Sequence, residues 1–427
     1  MTTIIRGEEN LSAQEIEKRI NASEEYDTVS FEGVFRFEDN LKRVFLLGKS
    51  AVRSIVMVTK PNLRLDFSRA KIFVRLKELT CDTAFLYLYP TAKNLRVSGL
   101  DLRIDYEGEN SAMTLYGLYN CGHSLRLENA TVEIQAKSQV NATGVCNYGG
   151  LDTHLDTQAD NLSVTGARVR VAIDPAGGIT LPCEACGLRN VLANSIVVSD
   201  SFIEAKNRGE GEEQRAVGIY NNGRFCRFSA DNVKANGSHN KGALLEEAHA
   251  FGMIDEGMYS LIGNSNIVGE WGGRCVGLTL KGEFSNVTGN KILSTHTIRG
   301  TTVRIEGSKI LVNHNVLTST SRNARIVSAS GESVTVSGNM LEILMPIWSA
   351  VSGVGAYLED GTDFVFADNQ LRVLKTCGVY LKNCDAVLRD NRFRQDGREQ
   401  TFVEVAEDRE DLERLLDERA IRSLPLE

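Results

Sequence analysis

The chain has 427 residues, of which 42% are hydrophobic and 24% charged, and a formal net charge of −8. That length exceeds the usual size of one compact domain, and an acidic balance without a Lys/Arg cluster argues against a nucleic-acid groove. No run approaches the roughly 18 apolar residues a membrane-spanning helix needs, so no membrane partner is expected.

The start, Met1 to Glu9, turns acidic at once and has no apolar signal-peptide core, which gives a cytoplasmic expectation. Ser12-Ala13-Gln14-Glu15 is a capping box, and Ile16 and Ile20 fall on one face of the helix it starts. We expect residues 1–26 to form a cap over an open end of the body that follows. Asp27 to Phe37 then alternates apolar and polar residues as a β-strand does, and Val56 to Val58 with Asn62 to Phe67 repeats the pattern.

From Phe85 onward a phrase returns: Tyr116-Gly117-Leu118-Tyr119-Asn120, Thr143-Gly144-Val145-Cys146-Asn147, Cys186-Gly187-Leu188-Arg189-Asn190 and Val217-Gly218-Ile219-Tyr220-Asn221. Asn tolerates the left-handed backbone and bonds to its own turn, so these four asparagines read as a stacked structural ladder. After Gly252 the same position reads Asp255, Leu280, Ile305, Glu359 and Lys382. Gly252 to Gly277 and Gly277 to Thr302 are steps of 25 residues, and successive copies close on Asn290, Asn315, Asn339, Asn369 and Asn391. A repeat of that length built from short alternating strands cannot bury its apolar face alone, so its copies must stack into a solenoid.

This pattern resembles the right-handed parallel β-helix of the pectate-lyase-like superfamily. The resemblance implies an all-β fold of about ten to twelve coils over residues 27–400. Residues 401–427 form a separate segment, in which Leu412, Leu415 and Leu416 mark an amphipathic helix.

Earlier steps are longer: Gly117 to Gly144 is 27 residues, Gly144 to Gly187 is 43, Gly187 to Gly218 is 31 and Gly218 to Gly252 is 34. The surplus must leave the solenoid as loops, at 154–160, 174–184, 207–215 and 238–250, and clustered insertions in a repeat protein build one binding face. If Leu118, Val145, Leu188, Ile219, Met253 and Leu278 fill the core, their neighbours Tyr119, Cys146, Arg189, Tyr220, Ile254, Thr279 and Arg304 point outward. Tyr119, Arg189, Tyr220 and Arg304, with Arg215 and Arg224 nearby, are the expected substrate-binding residues, since aromatic rings offer apolar faces to a sugar and Arg a fork of donors.

The densest ionisable group is Glu246, Glu247, His249, Asp255 and Glu256. Carboxylates beside a histidine suit acid and base roles in glycosidic cleavage. They suit Ca²⁺ equally. No other metal or cofactor is expected, because the six histidines are scattered and Cys183-Glu184-Ala185-Cys186 is a single pair. Nine cysteines without regular spacing suit reduced thiols in strand walls.

The lyase, polygalacturonase and epimerase signatures of the resembled superfamily are not matched residue by residue. By fold analogy the expected function is a carbohydrate-active enzyme, a lyase or glycoside hydrolase, working in a groove beside residues 150–256. The alternatives are a non-catalytic carbohydrate-binding or structural β-helix, for which a homo-trimer is the expected assembly, and an isomerase or cyclase of a specialised pathway acting on a small molecule.

Overall fold

The computed structural model describes residues 2–38, 44–47, 50–150, 159–175, 181–209, 213–237, 249–344, 352–373, 377–394 and 402–406. The chain divides into two compact units, Met1–Arg227 and Phe228–Glu427. Glu246, Glu247, the helix expected over Asp408 to Arg419 and most of the four expected loops lie outside the described residues.

In the first unit the coils beginning at Asp82, Thr114, Asn141 and Cys183 each have a long strand, a three-residue short strand and a return strand, whereas the coil of Ser50–Val58 continues into one 13-residue strand, Arg64–Leu76. The long strands are Ser50–Val58, Asp82–Leu88, Thr114–Asn120, Asn141–Tyr148, Cys183–Val191 and Gln214–Asn222. Consecutive copies pair in parallel, as Leu118 with Val145 and Val145 with Leu188 show. The short strands Arg96–Ser98, Arg126–Glu128, Ser163–Thr165 and Val197–Ser199 stack likewise. So do the return strands Asp101–Tyr106, Thr131–Ala136, Arg168–Ile173 and Phe202–Asn207. Among the described residues one antiparallel pairing occurs, between Val44–Leu47 and Ser50–Val58.

The corners explain why Asn, Ser and Gly recur. Each coil turns through a residue of positive φ on either side of its short strand: Asn94, Ser124, Asn161 and Ser195 before it, Gly99, Asn129, Gly166 and Asp200 after it. Small polar residues and Gly reach that left-handed region at least cost.

The repeated glycines serve close approach instead. A Cβ on Gly117, Gly144 or Gly187 would sit 2.6–2.7 Å from the carbonyl oxygen of the glycine one coil on. At this point the strand register skips one residue, so Gly and the following aliphatic residue both face inward. Leu118, Val145, Leu188 and Ile219 are fully buried there.

The asparagine ladder forms as expected. Asn120 Nδ2 donates to Asn147 Oδ1 at 2.7 Å, Asn147 to Asn190 at 2.9 Å and Asn190 to Asn221 at 2.8 Å. All four are at most 1% exposed.

The helix Ala13–Asn21 carries the full capping box, with Ser12 and Glu15 bonding each other's main chain. Ile16 and Ile20 are buried. Asn21 accepts from Thr59 N at 2.9 Å and donates to Met57 O at 3.0 Å, while Glu17 accepts from Met57 N at 3.1 Å. The helix therefore satisfies a strand edge that a solenoid end leaves open.

The second unit repeats the plan with more regular coils. Its long strands are Ala250–Asp255, Arg274–Leu280, Arg299–Ile305, Asn323–Ala329, Ser352–Glu359, Val379–Lys382 and Val403–Ala406. Here the ladder stands after the short strand: Asn290, Asn315, Asn339, Asn369 and Asn391 pass Nδ2-to-Oδ1 bonds of 3.0–3.1 Å from coil to coil.

One register expectation is corrected. Asp255 aligns with Leu280 and Ile305 as read, but the line continues through Ala329, Leu358 and Leu381. Glu359 and Lys382 pair with each other one residue further on, and a one-residue slip moves a side chain to the opposite face.

Candidate functional site

Outward positions of the long strands carry the chemistry, and each unit presents a different surface. In the first unit the outward face is a tyrosine cluster. Ring centroids of Tyr87 and Tyr119 are 5.6 Å apart, those of Tyr116 and Tyr119 4.8 Å and those of Tyr119 and Tyr148 6.0 Å. The stripe expected to face solvent is instead largely closed at this end: Tyr87 is 1%, Tyr119 7% and Cys146 2% exposed. Sequence alternation finds the direction of a side chain but not what its neighbours cover, and here large rings cover one another. Burial raises the phenol pKa of Tyr87, Tyr116 and Tyr119, and pushes the Cys121 and Cys146 thiols up to about 12.

Further along this face Arg189 pairs with Glu184 and lies over the Tyr220 ring, 5.0 Å from its centroid. Both Arg189 and Tyr220 are half-buried, and Arg215 and Arg224 are exposed. The structure thus brings Arg189 and Tyr220 together, as the sequence suggested, with Glu184 as a partner that the reading missed. Cys183 and Cys186 do not form a chelating pair. The Cys183 thiol meets Gln214 Oε1 at 2.6 Å, whereas Cys186 bonds the Leu188 carbonyl at 3.5 Å.

In the second unit the corresponding face is cationic. Outward residues of three consecutive strands are Arg274, Val276 and Thr279, then Arg299, Thr301 and Arg304, then Asn323, Arg325 and Ser328, by strand register. Four arginines and no carboxylate occupy these nine positions. Arg274 and Arg299 stand directly opposite each other in register. Like charges so placed destabilise a sheet. Arg325 lies over the Tyr357 ring at 4.9 Å, and the Tyr357 hydroxyl donates to Glu359 at 2.8 Å. Thr279, 1% exposed, has a buried Oγ1 without a hydrogen-bond partner.

Of the expected acid–base group, Asp255, His249 and Glu256 lie among the described residues, and Glu246 and Glu247 do not. Asp255 is fully buried, with Oδ1 accepting from Ser260 Oγ at 2.9 Å and Oδ2 from Ser285 Oγ at 3.1 Å. His249 is 1% exposed, and its main-chain N bonds the Arg274 carbonyl, which sets it in line with Arg274. Glu256 pairs with Lys281 at 3.1 Å. Arg304, from the expected binding set, pairs with Glu306 at 2.5 Å and keeps 48% of its side chain exposed. Among the described residues no group of three His, Cys, Asp or Glu side chains is arranged to hold a metal ion. Asp255, with both oxygens engaged by hydroxyls, does not fit a calcium site.

No protein-family model and no curated protein matches the sequence. Among solved structures, the tailspike protein of E. coli bacteriophage HK620 in complex with pentasaccharide is similar over 94% of this chain and 78% of that one, with a TM-score of 0.50 and 11% identity. The Dettilon tailspike protein (gp208) gives a TM-score of 0.48 at 11% identity, with 89% of this chain matched and 62% of that one, so this chain spans under two thirds of its length. A double mutant of the periplasmic alginate epimerase AlgG gives 0.39 at 9% identity, covering 94% and 83%. Likeness at such identities concerns the fold. The chain has a right-handed parallel β-helix fold.

Proposed function

We propose that this protein is a carbohydrate-binding β-helix that takes an acidic glycan on the long-strand face of its second unit. The observation that carries this reading is the set Arg274, Arg299, Arg304 and Arg325, gathered on outward positions of three neighbouring strands in a chain of net charge −8. Arg304 is paired with Glu306, and an anionic ligand would lessen the repulsion between the like-charged neighbours Arg274 and Arg299. Guanidinium forks match carboxylates bidentately. That the HK620 tailspike is seen with a pentasaccharide supports a saccharide over other anions.

The test is isothermal titration of acidic and neutral oligosaccharides of equal length against the wild type and an Arg299→Gln, Arg304→Gln double variant. A charge-assisted hydrogen bond contributes about 1.5–3 kcal/mol. Removing two, about 3–6 kcal/mol together, should weaken acidic-glycan binding at least about 100-fold, at roughly 1.4 kcal/mol per tenfold. Equal affinity for neutral and acidic glycans, or an unaltered double variant, would overturn the reading.

Cleavage or rearrangement of the bound glycan, of lyase or hydrolase type, is the alternative: growth of reducing ends on prolonged incubation would establish it, and a bound glycan left intact would dismiss it.

A further inference from the structure

The cationic face of the second unit has an aromatic neighbour at its edge. There the chain passes from each return strand to the next long strand through a third corner. Two of these corners carry rings. Trp271 lies between the return strand Asn266–Glu270 and the long strand Arg274–Leu280, and His296 between Lys291–Thr295 and Arg299–Ile305. Trp271 N bonds the Thr295 carbonyl at 3.1 Å, which sets the two residues side by side. Their rings stack with centroids 4.7 Å apart and planes 14° apart.

Both residues have a left-handed backbone, at φ 62° and 55°, and apart from Gly272 no other described residue at a third corner does. A bulky side chain is costly there, and backbone strain of this kind clusters at ligand sites. The two corners are tied together all the same. Thr297 Oγ1 donates to the Gly272 and Gly273 carbonyls, at 2.8 and 2.9 Å, and Thr295 Oγ1 meets His296 Nδ1 at 3.1 Å.

The next coil ends the aromatic row. Ser294 pairs with Ser319 and Arg299 with Asn323, so the four residues 295–298 are answered by three, 320–322. The shortened corner meets His296 and Thr297 with the single residue Ser321, which is fully buried. His296 therefore stands exposed above a step, with the half-buried Trp271 behind it. Arg299 lies three residues beyond His296, and the exposed Arg322 one rung, about 4.8 Å, beyond Ile298. Arg325 follows on the strand into which Arg322 leads.

An exposed ring face among guanidinium groups suits a sugar unit that carries a carboxylate. The apolar face of a sugar ring lies flat on an aromatic plane, and its carboxylate takes a guanidinium fork. An inorganic anion would use the arginines alone. We propose that the Trp271–His296 stack is a sugar-stacking subsite, holding one acidic sugar unit against His296 with its carboxylate toward Arg299 and Arg322. This inference rests on the acidic-glycan reading of the neighbouring strands and adds the residue that grips the sugar ring itself.

The test is isothermal titration of the full chain with oligogalacturonate, oligomannuronate and oligosialate, with maltohexaose as the neutral control. His296→Asn removes the ring and keeps a residue suited to a left-handed corner. It should weaken the tightest acidic probe roughly three- to tenfold. His296→Phe keeps a ring, at a kind of corner where Phe284 already sits at φ 57°, and should bind within about twofold of the wild type. The chain has two tryptophans, Trp271 and Trp348. Saturating ligand should shift the wild-type emission, and the shift should be absent from Trp271→Phe. A His296→Asn variant that binds like the wild type overturns the proposal, as does a His296→Phe variant as weak as His296→Asn or an emission that ligand leaves unmoved. Should affinity fall in the Arg299→Gln, Arg304→Gln variant but not in His296→Asn, the acidic-glycan reading stands and this inference alone fails. A wild type that binds none of the acidic probes overturns both.

Discussion

Substituting Asn190 by Leu tests how much of the first unit depends on its buried ladder. Asn190 is fully buried. Its Nδ2 donates to the Ala193 carbonyl and to Asn221 Oδ1, both at 2.8 Å, and its Oδ1 accepts from Asn147 Nδ2 at 2.9 Å. Leu fills a similar volume and makes none of these bonds. The damage is partly shared out, because Asn147 keeps its bond to Ala159 O and Asn221 Oδ1 keeps the Gly223 amide. Three lost bonds at about 1 kcal/mol each give a destabilisation near 3 kcal/mol. In a stacked repeat that loss falls on the two interfaces the residue spans. Native-state hydrogen exchange is the suitable assay, since it reads opening free energy strand by strand. Protection should fall in Asn141–Tyr148, Cys183–Val191 and Gln214–Asn222 and hold in the second unit. A change below about 0.5 kcal/mol in those strands, the level of an ordinary surface substitution, would refute the view that the ladder is structural.

Three further outcomes follow from the same geometry. Burial raises the Cys121, Cys146 and Cys275 thiols from 9.0 to about 12, so the folded chain holds protons that the unfolded chain releases. The stability this provides is complete below pH 9 and is lost as pH rises toward 12; at pH 10 each thiol costs about 1.4 kcal/mol. The melting temperature should therefore fall steadily from pH 8.5 to 10.5, and a flat profile would contradict the burial. Ser12→Ala removes the cap of the first helix and should cost about 1 kcal/mol by urea denaturation, with no loss if the helix frays in the native state. Gly277→Ala would place a Cβ 2.6 Å from Thr302 O and 2.7 Å from Ile292 Cγ2. Overpacking of that kind should destabilise by about 1–3 kcal/mol, and a stable alanine variant would show that the coils can move apart.

The solenoid, its capping helix and both asparagine ladders are determined by the sequence itself. Each rests on local chemistry repeated at fixed spacing: a Gly where backbones close up, an Asn where the chain turns, a Ser and Glu three apart where a helix begins. Inward aliphatic residues such as Leu118 and Leu278 follow from two-residue alternation, which is a property of the strand alone. Exposure is not. Tyr119 and Thr279 point outward as expected and are nonetheless covered, because cover comes from residues far away in sequence. Asp255 looked like a catalytic carboxylate beside His249, yet Ser260 and Ser285 enclose it. Arg274, Arg299 and Arg325 went unremarked because each is one charge among 48 Lys and Arg residues, separated by 25 or more positions. Only strand register, which stacks every 25th residue about 4.8 Å from the last, turns them into one cationic face.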